Sequence, residues 1–119
     1  MFNRLIALFK RVQERCRKDE MYGRFATIGH CLRASNAQMA LIFGVSVATI
    51  RRWKTKTEID KEAEERCVTI YNLVRDYDLS HYSLTQTVNN KSLLDLLSSP
   101  KLDQIEIKLQ LFLHQLGAE

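Results

Sequence analysis

The sequence predicts an all-α protein, and three observations carry that prediction. Apolar residues recur at three- and four-residue spacing along most of the chain. One Pro and four Gly in 119 residues leave few forced breaks. Serines stand where helices need caps: Ser35 with Gln38 three residues on, Ser46 after a glycine turn, and Ser99 just before Pro100.

The length suits about one domain, and 45% hydrophobic with 27% charged residues is an ordinary globular composition. Charge is divided unevenly. Residues 1–57 hold 12 Lys/Arg against 3 Asp/Glu, while residues 58–119 hold 6 against 11. A basic half of +9 joined to an acidic half of −5 points to a polyanion partner for the first half only. Cys16, Cys31 and Cys67 are odd in number and widely spaced, which argues against a disulfide framework and for a reducing compartment. The cytoplasm, in association with the nucleoid, is the expected location. The apolar run at residues 5–9 is cut short by Lys10 and Arg11, too short for a leader or for a span of ~20 apolar residues. No membrane association is expected.

In chain order, Phe2, Leu5, Ile6, Phe9, Val12 and Cys16 mark a first helix over residues 2–18, expected to dock on the core with its charges solvated. Residues 19–33 form a second helical segment with Phe25, Ile28 and Leu32 on one face, and Gly29 there permits close packing. Ser35 and Gln38 make a capping box that starts a short helix with Met39, Ala40 and Phe43 turned inward. Gly44 follows where a left-handed turn is needed, and Ser46 caps a further helix reaching about Lys56.

In that helix Ile50 and Trp53 face inward. Placing residues 100° apart puts Ala48, Arg51, Arg52 and Thr55 on the opposite face, with Thr49 and Lys56 at its edges. Small side chains near its start allow the backbone to approach a groove, and the arginines then reach bases or phosphates.

Residues 36–57, NAQMALIFGVSVATIRRWKTKT, resemble the helix-turn-helix family of bacterial and phage regulators, including the phage-repressor-like and Xre types. The shared pattern is Ala40, Gly44 four residues on, Val45 and Ser46, then Ile50 and Trp53. The resemblance implies a helix-turn-helix bundle that binds double-stranded DNA and regulates transcription, usually as a repressor. It makes Asn36 a phosphate contact and Ser46, Val47, Ala48, Arg51, Arg52 and Thr55 the groove-facing set. This chain has Asn36 where the family's regulators often carry Gln.

Beyond Thr57 the composition turns acidic. Thr57 with Asp60 gives another capping pattern, and Ile59, Ala63, Cys67, Ile70, Val74 and Tyr77 predict a helix of roughly five turns. Residues 79–91 read as a loop, residues 92–97 as a short helix, and Ser99-Pro100 as the start of a final helix over 101–116. In the last helix Leu102, Ile105, Leu109, Phe112 and Leu116 share a face, while Ile107, Leu111 and Leu113 lie outside it. That helix therefore packs on two surfaces, one of them open to a second copy.

The expected organisation is a basic DNA-binding region at 1–57 and an acidic helical extension at 58–119 for dimerisation or partner binding. One recognition helix reads only a few base pairs, so a homodimer on half-sites about 34 Å apart is expected, joined by the acidic half. Two alternatives remain. One is an antitoxin-type autoregulator, since residues 89–97 with the Leu-rich helix look like an Xre-type toxin-binding domain. The other is a DNA-recognition subunit of a transposase or terminase. No enzyme, cofactor or metal site is expected: Cys16, His30, Cys31 and Cys67 match no closed zinc spacing, and Asp76, Asp78 and His81 have no second cluster to complete a hydrolytic site.

Overall fold

The computed structural model describes residues 2–117, without the side chains of positions 2, 3, 9 and 14. Helices dominate it: α1 (Phe2–Leu32), α2 (Asn36–Phe43), α3 (Val47–Lys56), α4 (Glu64–Asp76), α5 (Leu93–Leu97) and α6 (Ile105–Gln115), with one small hairpin, β1 (Thr87–Val88) and β2 (Lys91–Ser92). The chain is therefore predominantly helical, as its periodicity predicts.

The two helical segments expected over 2–18 and 19–33 are one continuous rod. A helix of 31 residues is about 46 Å long, and it sets the long axis of a molecule measuring 62 × 29 × 23 Å. Gly23 does not break it, since its position faces open space and helical backbone bonds run on through it. Gly29 sits over Met39, where an added Cβ would lie 3.5 Å from the terminal methyl; that is ordinary contact, so close approach does not require glycine there.

α1 and α4 lie side by side and run parallel. Arg17 pairs with Glu64, the Cys67 thiol donates to the Met21 carbonyl at 3.8 Å, and Arg24 lies over the Tyr71 ring at 5.8 Å, so residue numbers rise together along both helices. Parallel neighbours need a crossover, and α2 with α3 supplies it. Because α4 begins at Glu64, opposite Arg17, the part of α1 before Arg17 has no helix beside it among the described residues. The expectation that this part docks on the core fails: Leu5, Ile6 and Val12 are exposed, and burial begins at Met21. The Phe2 and Phe9 side chains lie outside the described residues.

Buried residues from all the helices join in one core, including Phe25 and Ile28 of α1, Met39 and Phe43 of α2, Trp53 of α3, Ile70 of α4, Leu97 of α5 and Leu109 of α6. Arg66 of α4 closes it on one side. Its Nε donates to the Ile42 carbonyl and its Nη2 to the Leu97 carbonyl at 2.7 Å. One guanidinium thus satisfies carbonyls in the last turns of both α2 and α5, where helices leave acceptors unpaired.

Three boundaries differ from expectation. Thr57 is the left-handed cap that ends α3 (φ 51°), not the start of a helix. Residues 58–60 then run to a 3-10 turn at Lys61–Ala63 before α4 begins, yet Ile59 is still buried. The stretch 79–91 is not plain loop: it holds a 3-10 turn at Leu79–His81 and the first strand of the hairpin, whose two-residue turn is Asn89-Asn90 with φ of 53° and 67°. Asparagine tolerates those angles better than most residues. Finally, Ser99-Pro100 does not open the last helix. A 3-10 turn at Leu102–Gln104 leads into α6, which buries Ile105, Leu109, Phe112 and Leu113 and leaves Ile107 and Leu111 exposed.

Candidate nucleic-acid interface

α2 begins where local chemistry directs it to. The Ser35 hydroxyl accepts from the Gln38 backbone N–H at 3.1 Å, while the Gln38 side chain accepts from the Ser35 N–H at 2.9 Å. The helix ends at Gly44, left-handed at φ 66°, whose N–H points back to the Ala40 and Leu41 carbonyls. The Val45 N–H bonds the Ala40 carbonyl at 3.0 Å, folding the chain sharply. Ser46 then starts α3, accepting from the Thr49 N–H at 3.1 Å.

An aromatic cluster fixes how α3 sits. The Trp53 ring meets Phe25 at 5.6 Å and Phe43 at 5.8 Å, both edge-on, and Phe25 meets Phe43 at 5.4 Å. Edge-to-face geometry of this kind adds roughly 0.5–1.5 kcal/mol per pair beyond area burial. With Ile50 and Trp53 buried, the opposite side of α3 is turned outward.

That outward side carries Ala48, Arg51, Arg52, Thr55 and Lys56, all exposed, with Val47 and Thr49 half-buried at its margins. Ser46 is exposed, but its hydroxyl is engaged as the cap and lies 2.9 Å from the Thr49 hydroxyl. The Thr55 hydroxyl donates to the Arg51 carbonyl at 2.9 Å, a bond that keeps it close to the helix. Asn36 is on another helix, at the first turn of α2.

The fold brings Asn36 to this surface through a residue that sequence reasoning passed over. Lys54 Nζ donates to the Asn36 side-chain oxygen, joining α3 to the start of α2. On a helical wheel Lys54 falls beside Ile50, away from the outward arc. Only the packing of α2 against α3 makes that flank part of the same basic surface, so no local signal could have singled it out.

Electrostatics distinguish the two adjacent arginines. Arg52 Nη2 lies 2.6 Å from Asp60 Oδ2, just past the end of α3, whereas Arg51 has no carboxylate partner among the described residues. Lys18 of α1 reaches Glu58 at 3.3 Å in the same connection. The acidic connection therefore neutralises part of the basic surface at its edge.

The structure also places the residues set aside for chemistry. Cys16 is exposed, Cys31 half-buried and Cys67 buried, and among the described residues no three His, Cys, Asp or Glu side chains come together in a metal-holding group. His81 and Asp78 pair at 2.9 Å on the surface. No helix among the described residues is long and apolar enough to cross a membrane. Comparison with protein-family models, with characterised proteins and with solved structures gave no match to this chain.

Proposed function

We propose that the chain is a sequence-specific double-stranded DNA-binding regulator of transcription, acting as a repressor by occupying a promoter. The observation that carries this reading is the exposed face of α3: small at Ala48, cationic at Arg51, Arg52 and Lys56, and backed by buried Ile50 and Trp53. In this reading α2, the Gly44 turn and α3 work as a helix-turn-helix, with α3 entering the major groove.

Arg51 then hydrogen-bonds a guanine edge, and the others divide between bases and phosphates. Lys54 and Asn36 hold a phosphate at the margin, where an ammonium and the first turn of a helix both favour an anion. A homodimer is part of the reading, since one helix contacts too few base pairs for an operator.

The test is selection of bound sequences from a random duplex pool, followed by shift assays on the selected site. Arg51→Ala is expected to cost about 1–3 kcal/mol of specific binding and to relax preference at one position. Parent-like affinity of an Arg51→Ala/Arg52→Ala double variant would remove α3 as the recognition element. A second reading, an antitoxin-type adaptor whose C-terminal helices hold a protein, is favoured by the exposed Ile107 and Leu111 on α6. Co-purification of a stoichiometric partner that Ile107→Glu releases would support it.

A further inference from the structure

The first half of α1 carries an apolar face that the rest of the described chain leaves uncovered. Leu5, Leu8 and Val12 are 66%, 56% and 52% exposed, with Ile6 beside them. In the sequence, Phe2, Leu5, Phe9, Val12 and Cys16 alternate steps of three and four, the spacing of the seam between paired helices. Met21, Phe25, Ile28 and Leu32 alternate the same steps and are the buried residues of α1.

Between the two sets, from Cys16 to Met21, the step is five. At 100° per residue the two stripes then lie about 150° apart around the helix. The fold's own core meets α1 on the Met21 stripe, so it is on the wrong side to cover the Leu5 stripe. Among the described residues nothing covers that stripe, which leaves it open to a partner.

We propose that this partner is a second copy of this chain, the first halves of two α1 helices lying along one another. Charge placement supports a self-contact. Arg4, Lys10, Arg11, Arg15, Arg17 and Lys18 all fall about 100° or more from the centre of the seam. Two basic helices therefore meet without opposing like charges in the contact.

Area supports it too. The unpaired helix before Arg17 is about 22 Å long. Pairing two of them buries on the order of 1,000 Å² in total, at the lower limit for a specific interface. By contrast, α6 offers Ile107 and Leu111 as its exposed large apolar side chains, against Leu5, Ile6, Leu8 and Val12 among the described side chains of α1. The dimer contact therefore moves from the acidic half, where the sequence suggested it, to the basic α1. This inference stands whether or not the chain binds DNA.

The experiment is sedimentation of the full chain over a micromolar concentration series, with two double variants and a vesicle arm. A concentration-dependent dimer is expected for the parent. Leu5→Glu/Val12→Glu is expected to weaken it at least about tenfold, or roughly 1.4 kcal/mol, while Ile107→Glu/Leu111→Glu leaves it unchanged. Trp53 emission reports that the core is intact in each variant, because neither stripe enters it. A monomeric parent, or a dimer indifferent to Leu5→Glu/Val12→Glu, overturns the proposal. So does loss of the dimer in the α6 variant alone. A parent that stays monomeric but sediments with phosphatidylcholine–phosphatidylglycerol vesicles would assign the stripe to a membrane surface instead.

Discussion

Arg51 and Arg52 are neighbours in sequence with different surroundings. The Arg52–Asp60 pair is exposed on both sides, and such pairs contribute about 0–1 kcal/mol, so in the proposed DNA complex a phosphate would compete with Asp60 on nearly equal terms. Asp60→Asn is expected to raise DNA affinity a few-fold at low salt, and to do nothing on an Arg52→Ala background. Paired shift assays would read both. Cys67 is the opposite kind of residue: burial pushes its thiol up to about 12. A thiol whose folded value lies above its unfolded one, about 8.5, favours the folded state fully below that unfolded value. Its contribution is lost as pH rises from there toward about 12, with a slope of up to roughly 1.4 kcal/mol per pH unit. Urea unfolding over this range should show a shallower pH dependence for Cys67→Ala than for the parent. Equal slopes would show that Cys67 ionises as easily folded as unfolded.

At the scale of elements, the Gly44 turn and the long α1 make opposite demands on glycine. Gly44 is held at φ 66° with open space around its missing side chain, so Ala there meets backbone strain and no clash. Gly44→Ala is expected to destabilise the protein by about 1–2 kcal/mol. Gly23 lies in the interior of α1, also facing open space. Gly23→Ala is therefore expected to stabilise by up to about 1 kcal/mol through helix propensity. Chemical unfolding followed by Trp53 emission measures both; the same sign for the two variants would contradict the conformations assigned to them. Under the proposed function the difference matters, because the Gly44 turn sets the direction of α3.

For the whole molecule, Arg66 is the residue that binds the crossover helices to the C-terminal ones. It is half-buried, its pKa is lowered by that burial, and it bonds carbonyls of both α2 and α5. Arg66→Met would keep most of the stem packing and remove both bonds. It is expected to cost about 2–3 kcal/mol, since hydrogen bonds from a charged donor are worth more than neutral ones. Urea titration gives the magnitude; a loss below about 0.5 kcal/mol would mean that water replaces the guanidinium without penalty. The core crosses the point where the charge changes sign, and Arg66 acts at the edge of that core.

The caps at Ser35 and Ser46, the turn at Gly44 and the inward pair Ile50 and Trp53 were all legible in the sequence, and with them the outward set Ala48, Arg51, Arg52 and Thr55. Each depends on residues within about one helical turn, and backbone hydrogen bonding and helical period operate at that range. Tertiary structure alone decided that Lys54 joins Asn36, that Asp60 holds Arg52, and that α4 starts at Glu64 and so leaves the beginning of α1 uncovered. Those outcomes depend on which surfaces lie against one another, a long-range balance of packing and charge that local spacing does not encode. The apolar stripe through Leu5 and Val12 shows the division plainly. Its spacing, and the five-residue step that turns it away from the Met21 stripe, were written in the sequence, but only the continuity of α1 and the start of α4 at Glu64 left it without a neighbouring helix among the described residues.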